Sequence, residues 1–289
     1  MMLGKLAYFA WAVRRAGTRN SPCPSCSSRA VRRLRRKYLV TSLWECQRCF
    51  IRFRIPRETP EDASRFYQQQ YRAGFTTDCP DDEELARLLA TRFQGTEKDY
   101  SDYLQVLDAA GVRRGNIVLD FGSSWGYGSW QLQQAGFEVY SYEISQARAD
   151  YAARKLGCRI ICSFKEIPDR VQCFFSAHVI EHLPDPNVMW RAVSRAMGRE
   201  GTVVVFTPNG NPDLETAYGS RRYHRLWGKV HPMLITPQSL REMANRHGFM
   251  PYVFSSPYST ERIRLLEPDV NPLGSELLLV ARRQAEFLR

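Results

Sequence analysis

Between residues 113 and 285 strand and helix signals alternate, and this alternation constrains the fold more than any other feature of the chain. Residues 116–121 read as a short buried strand, 125–134 as a helix and 138–142 as a strand. A helix follows over 145–156 with Ser145 at its cap, then strands at 159–162 and 171–176. A proline opens the helix over 186–197; 202–207 reads as a strand and 236–247 as a helix. Strands at 249–254 and 276–281 close the set. Such alternation predicts a parallel sheet with helices on both faces. The composition agrees: 44% hydrophobic and 25% charged residues exclude a disordered or fibrous chain. Mean hydropathy is −0.42, and no apolar run reaches the roughly 18–20 residues of a spanning helix. The N-terminal apolar patch precedes Arg14 and Arg15, the reverse of a secretory leader, so a soluble cytoplasmic protein is expected. Residues 3–13 read as a frayed N-terminal helix, with an interfacial or docking helix as the alternative.

Two tight cysteine pairs precede this region. Cys23-Pro-Ser-Cys26 and Cys46-Gln-Arg-Cys49 place four thiolates at a spacing suited to one tetrahedral zinc ion. Strands expected over 31–40, 43–46 and 51–55 make this a zinc ribbon with too little apolar material for a core of its own, so the metal supplies folding energy. The other four cysteines, Cys79, Cys158, Cys162 and Cys173, are scattered and read as unpaired thiols. Three stretches result: a basic segment with the ribbon at 1–56, a helical cap at 57–112 and an α/β domain at 113–289. In the cap, helices are expected over 63–71, 81–93 and 96–110, with Gly111 as a stop. Residues 1–60 carry 14 basic and 2 acidic side chains, so the net charge of +11 belongs to this segment. Such a patch suits phosphate, as nucleic acid, as a nucleotide-linked substrate or as an anionic membrane surface.

The chemistry begins at Val118-Leu-Asp-Phe-Gly-Ser-Ser-Trp-Gly-Tyr-Gly128, where a buried strand ends in an acid and a glycine turn opens a helix. Ligands bind beyond the carboxyl ends of parallel strands. The next strand ends at Glu143, where an acid can take both hydroxyls of a ribose. The glycines run G-x-x-x-G-x-G rather than G-x-G-x-x-G, and Asp120 would repel a pyrophosphate but attract an ammonium. The residues therefore favour S-adenosylmethionine over a dinucleotide.

With these residues the region resembles class I S-adenosylmethionine-dependent methyltransferases, in particular the group that includes ubiquinone-type and sugar O-methyltransferases. The resemblance also rests on Ala177-His-Val-Ile-Glu-His-Leu-Pro-Asp-Pro186 and on His231-Pro-Met-Leu-Ile-Thr-Pro-Gln-Ser-Leu240 followed by Gly248-Phe249. It implies a Rossmann-like seven-stranded sheet. It implies further that Asp120, Gly122, Ser124, Gly126 and His178 surround the cofactor and that Glu143 holds the ribose. Ser124 stands where the family usually has glycine.

His178, Glu181 and His182 fall at i, i+3 and i+4, and His231 lies at the far end of the stretch 209–235. These four are the candidate catalytic residues. A narrower resemblance, to small-RNA 2′-O-methyltransferases with E-x-x-E-H and a later histidine, implies a divalent metal at His178, Glu181, His182 and His231. The metal-free reading is the favoured one: His178 lines the cofactor pocket, Glu181 and His182 bond locally and His231 is a base or a loop anchor. Arginines and aromatics at 221–227 suit a sugar ring or a phosphate. The expected reaction is O-methylation of a sugar hydroxyl on a nucleotide-linked or glycan acceptor. Two alternatives are an RNA methyltransferase using the basic ribbon and a non-enzymatic adaptor. An Asn/Asp-Pro-Pro-aromatic motif, which base-nitrogen methylation often uses, is absent.

Overall fold

The computed structural model describes residues 9–15, 21–37, 39–59, 62, 78–228 and 230–284. The helix expected over 63–71 and the first residues of the one expected over 3–13 lie outside these; residues 9–14 are helical. The ribbon is a four-stranded antiparallel sheet of β1 (Val31–Lys37), β2 (Thr41–Cys46), β3 (Arg52–Ile55) and, from far along the chain, β9 (Met233–Leu234). Arg52 pairs with Leu234 and Phe53 with Met233. A two-residue strand carries no period that sequence could register.

The main sheet comprises β4 (Ile117–Phe121), β5 (Glu138–Tyr142), β6 (Arg159–Ile161), β7 (Val171–Ala177), β8 (Met197–Pro208), β10 (Phe249–Ser255) and β11 (Glu276–Arg283). Their order is β10-β11-β8-β7-β4-β5-β6, with β11 antiparallel to both its neighbours and the other pairs parallel. The order reverses between β4 and β7, and a crevice at that switch point is where such sheets take ligands. Successive β8 residues serve opposite faces. Val203 and Val205 join one buried cluster with Trp190 and Met243, whereas Val204 and Phe206 join another with Val106 and Leu107. The first face is covered by α5 (Asn187–Ala196) and α7 (Pro237–Arg246), the second by α2 (Ser101–Ala109).

Caps fix several helix starts. Asp81 accepts from the Glu84 N–H at 2.8 Å to open α1 (Asp82–Ala90), whose first-turn acids suit the helix dipole. Thr236 and Ser239 form a reciprocal capping box on α7. The remaining helices are α3 (Tyr127–Gln134), α4 (Gln146–Leu156), α6 (Asp213–Tyr223) and α8 (Thr260–Leu265). Residues 221–223, from the segment expected to suit a sugar ring or a phosphate, lie in α6. Instead Tyr223 and Trp227 are buried with Leu43 and Leu234 against the ribbon, so they are packing residues and not a sugar-stacking surface. The ribbon shares its core with the sheet domain: Cys23, Ile51, Phe53 and Ile55 lie in one cluster with Ile235, Leu240 and Met243. No helix among the described residues is long and apolar enough to cross a membrane.

Candidate active site

The turn after β4 is built for close approach. Gly122 and Gly126 have φ of 86° and 89°, and a Cβ on Gly126 would meet Ala152 Cβ at 2.7 Å and Cys158 Sγ at 2.9 Å. Ser124 adopts φ 53° at the position where the resembled family has glycine, so its backbone is strained, and its buried hydroxyl has no hydrogen-bond partner. The N–H groups of Gly122 and Ser123 both donate to the Tyr142 carbonyl, tying the turn to the end of β5. Glu143 follows directly. Its Oε2 accepts from the Ser124 N–H at 2.9 Å and its Oε1 from the Ser145 N–H at 2.6 Å. Burial pushes its carboxyl above the usual range, against the pull of these amides and of Arg148.

Asp120 sits lower than expected. Its carboxylate is 2% exposed and accepts from Ser129 Oγ at 2.6 Å, and Ser141 Oγ donates to Ser129 in turn. Burial raises its pKa to about 7. It braces α3 against the sheet through Ser129, beneath the turn.

After β7 the chain turns sharply: His178 has φ 56°, and a 3-10 turn carries Ile180–His182. Glu181 is buried at 2% exposure; Thr207 Oγ1 donates to its Oε2 at 3.0 Å, and its Oε1 has no hydrogen-bond partner. Oε1 lies 3.5 Å from His178 Nδ1 and 3.7 Å from His182 Nε2. Burial disfavours the Glu181 charge, but the facing His178 and His182 rings outweigh it and hold the pKa at about 2. His182 Nδ1 is 2.8 Å from the Val230 carbonyl, which can only accept, so in the neutral ring the proton is on Nδ1 and the lone pair on Nε2. The His182 and His231 rings lie 4.7 Å apart. Burial, then the neighbouring His182, depress the His231 pKa, leaving a neutral imidazole at pH 7.

The structure thus brings Glu181, His182 and His231 together, with one ligand atom from each mutually within 4.8 Å. His178 turns aside. Its Nε2 bonds Glu276 Oε1 at 2.6 Å, and Glu276 also accepts from Tyr103 OH at 3.1 Å and Tyr258 OH at 2.6 Å. Burial works against its charge, but Glu181 and Glu276 prevail and push its pKa up to about 10. Glu276, Tyr103 and Tyr258 were not read from the sequence. The one available signal was an acid opening the reversed strand β11, whose first residue lies at the ligand-binding edge.

A family model described as a methyltransferase domain matches residues 83–252, more than half of the chain. The chain belongs to this methyltransferase family. Among solved structures, the plantazolicin methyltransferase BamL, in complex with a triazolic desmethylPZN analogue and SAH, is 13% identical with a TM-score of 0.50, over 76% of this chain and 94% of that one. A TehB-like SAM-dependent methyltransferase from Corynebacterium glutamicum is 19% identical with a TM-score of 0.48, over 70% and 95%. These likenesses concern the fold. A search of curated proteins finds no significant match. The protein is an S-adenosylmethionine-dependent methyltransferase.

In this methyltransferase the two ribbon knuckles converge. The sulfurs of Cys23, Cys26, Cys46 and Cys49 lie within 4.8 Å of one another, and backbone N–H groups of Ser25 and Arg48 point at Cys23 and Cys46 sulfurs at 3.4 Å. This four-thiol set is compatible with a small zinc module. Part of the basic charge is internally matched: Arg32 and Arg52 pair with Glu45, Arg35 with Glu215 and Arg54 with Glu58.

Glu143→Ala is expected to weaken S-adenosylmethionine binding by about 1.5–3 kcal/mol, the size of one or two hydrogen bonds to a charged group. Calorimetry reads this directly, and an unchanged affinity removes Glu143 from the ribose site.

Proposed function

We propose that this methyltransferase O-methylates a sugar hydroxyl of a nucleotide-linked sugar or glycan, and that Glu181, His182 and His231 receive that hydroxyl. The acceptor oxygen attacks the methyl carbon, the carbon–sulfur bond breaks, S-adenosylhomocysteine leaves and a histidine takes the hydroxyl proton. The sulfonium is already activated, so the enzyme contributes position and a base. The carrying observation is the anionic, buried Glu181 with Oε1 undonated and aimed between two histidines. A hydroxyl satisfies that oxygen, and the neutral His231 is a suitable base. Gly122, Ser124, Gly126 and Glu143 form the cofactor cradle in this reading, with Asp120 supporting it from below through Ser129 and His178 at the crevice edge.

A divalent ion is the second reading, and the same undonated oxygen supports it. Glu181, His182 and His231 would hold the ion, with His178 committed to Glu276 and outside the set. Such an ion lowers the pKa of a bound hydroxyl and orients it. A structural zinc on Cys23, Cys26, Cys46 and Cys49 is part of the proposal in either case. Adding EDTA to the purified enzyme separates the readings. Activity lost and then restored by Mn²⁺ or Mg²⁺, without any change in zinc content, establishes the divalent site; unchanged activity assigns the proton to histidine alone.

A further inference from the structure

We infer that the ribbon is the clamp that sets the spacing of the acceptor site, holding both chain segments that carry Glu181, His182 and His231. This rests on the acceptor site and zinc proposed above.

The ribbon grips the two segments separately. On one side its first knuckle meets the chain just beyond His182. Arg57 donates to the Pro184 carbonyl at 3.0 Å, and Asn187 Nδ2 donates to the Pro24 and Ser25 carbonyls at 3.2 and 3.1 Å. Arg246 of α7 closes the same knuckle through Ser25 O at 2.8 Å. On the other side the hairpin holds the chain around His231. β3 pairs with β9, and the Arg54 N–H donates to the Pro232 carbonyl at 2.8 Å. The buried Arg52 guanidinium reaches Tyr223 OH at 2.5 Å, and Lys37 caps the carbonyls of His224 and Trp227 at 2.8 and 3.1 Å.

The two held segments meet across the site, through the bond between His182 Nδ1 and the Val230 carbonyl and the His182 and His231 rings 4.7 Å apart, so their spacing depends on how each is held. A misplacement of about 1 Å between reacting groups can cost on the order of 10² in rate. None of the holding residues named here belongs to the turn at 120–126. Arg52, Arg57 and Asn187 are therefore positioning residues: loosening them changes the acceptor side and spares the cofactor side.

The test uses the full-length enzyme and needs no acceptor. Arg52→Met is compared with wild type by hydrogen exchange, by calorimetric binding of S-adenosylmethionine and by the imidazole spectrum, tractable with five histidines. The expected result is exchange at least tenfold faster over 224–235, shifted resonances of His182 and His231, cofactor affinity within twofold and zinc content unchanged. Asn187→Ala is expected to do the same over 180–187. Zinc withdrawn by a mercurial and then restored is expected to loosen both segments reversibly. Unchanged exchange in both segments for the two variants overturns the clamp, as does loosening that spreads equally to β4. A protein purified without zinc refutes the zinc assignment, while Arg52→Met still tests the clamp; full turnover in His231→Ala refutes the acceptor site and leaves the exchange result standing.

Discussion

His182→Ala and His231→Ala are each expected to lower turnover on the acceptor by about 10² or more, the usual contribution of a positioned base, with cofactor affinity nearly intact. The two residues come from segments far apart in sequence yet their rings lie 4.7 Å apart beside a buried carboxylate. Both lie outside the turn at 120–126, so calorimetry with S-adenosylmethionine isolates the effect. The pH profile adds a second reading. A general base must be neutral, so the rate rises with pH through its pKa. Burial and His182 lower that of His231. The acidic limb is thus expected below pH 6.5, and a limb above it assigns the base elsewhere. Full turnover in both variants would move the acceptor chemistry away from this cluster.

Replacing Cys23 and Cys46 with Ser is expected to abolish zinc binding, reducing the content from about one ion per chain to none. Structural zinc contributes on the order of 10 kcal/mol, comparable to the whole stability of a small domain. The ribbon residues then lose their fold. Because Ile51, Phe53 and Ile55 share a cluster with Ile235, Leu240 and Met243, their loss uncovers α7 as well. The expected outcome is lower thermal stability of the whole chain with S-adenosylmethionine binding retained. Metal analysis of fresh, reduced protein checks the premise, and an absence of zinc there refutes it.

The sheet domain was legible because each element obeys its own local rule. The apolar strand at β4, the acids opening α1 and Thr236 before α7 all announce themselves within a few residues. The cysteine pairs were legible for a different reason, since metal geometry imposes a spacing on the sequence. What stayed hidden depends on distant partners. The role of Asp120 turns on Ser129 and Ser141, and an acid at a strand end looks the same whether it faces the crevice or the helix beneath it. His178 appears in sequence as one of three residues on a helical face. Its left-handed backbone and Glu276, on the last strand, draw it out of that set. The arginines and aromatics of 221–227 suggest a ligand surface because the composition of a buried interface and of an exposed one can be alike.

The pairing of β3 with β9 also has a consequence in time. The edge of β3 is made early in synthesis, while Met233 and Leu234 appear roughly 180 residues later. At ~5–20 residues per second, that leaves β3 uncovered for on the order of 10–40 s. An open strand edge bearing Phe53 and Ile55 is a template for pairing with another nascent chain. The opposite edge, β1, is guarded throughout by Arg32, Arg33, Arg35, Arg36 and Lys37, which keep neighbouring copies apart by charge. The clustered basic charge thus protects the unfinished chain on one side, while the other waits for β9.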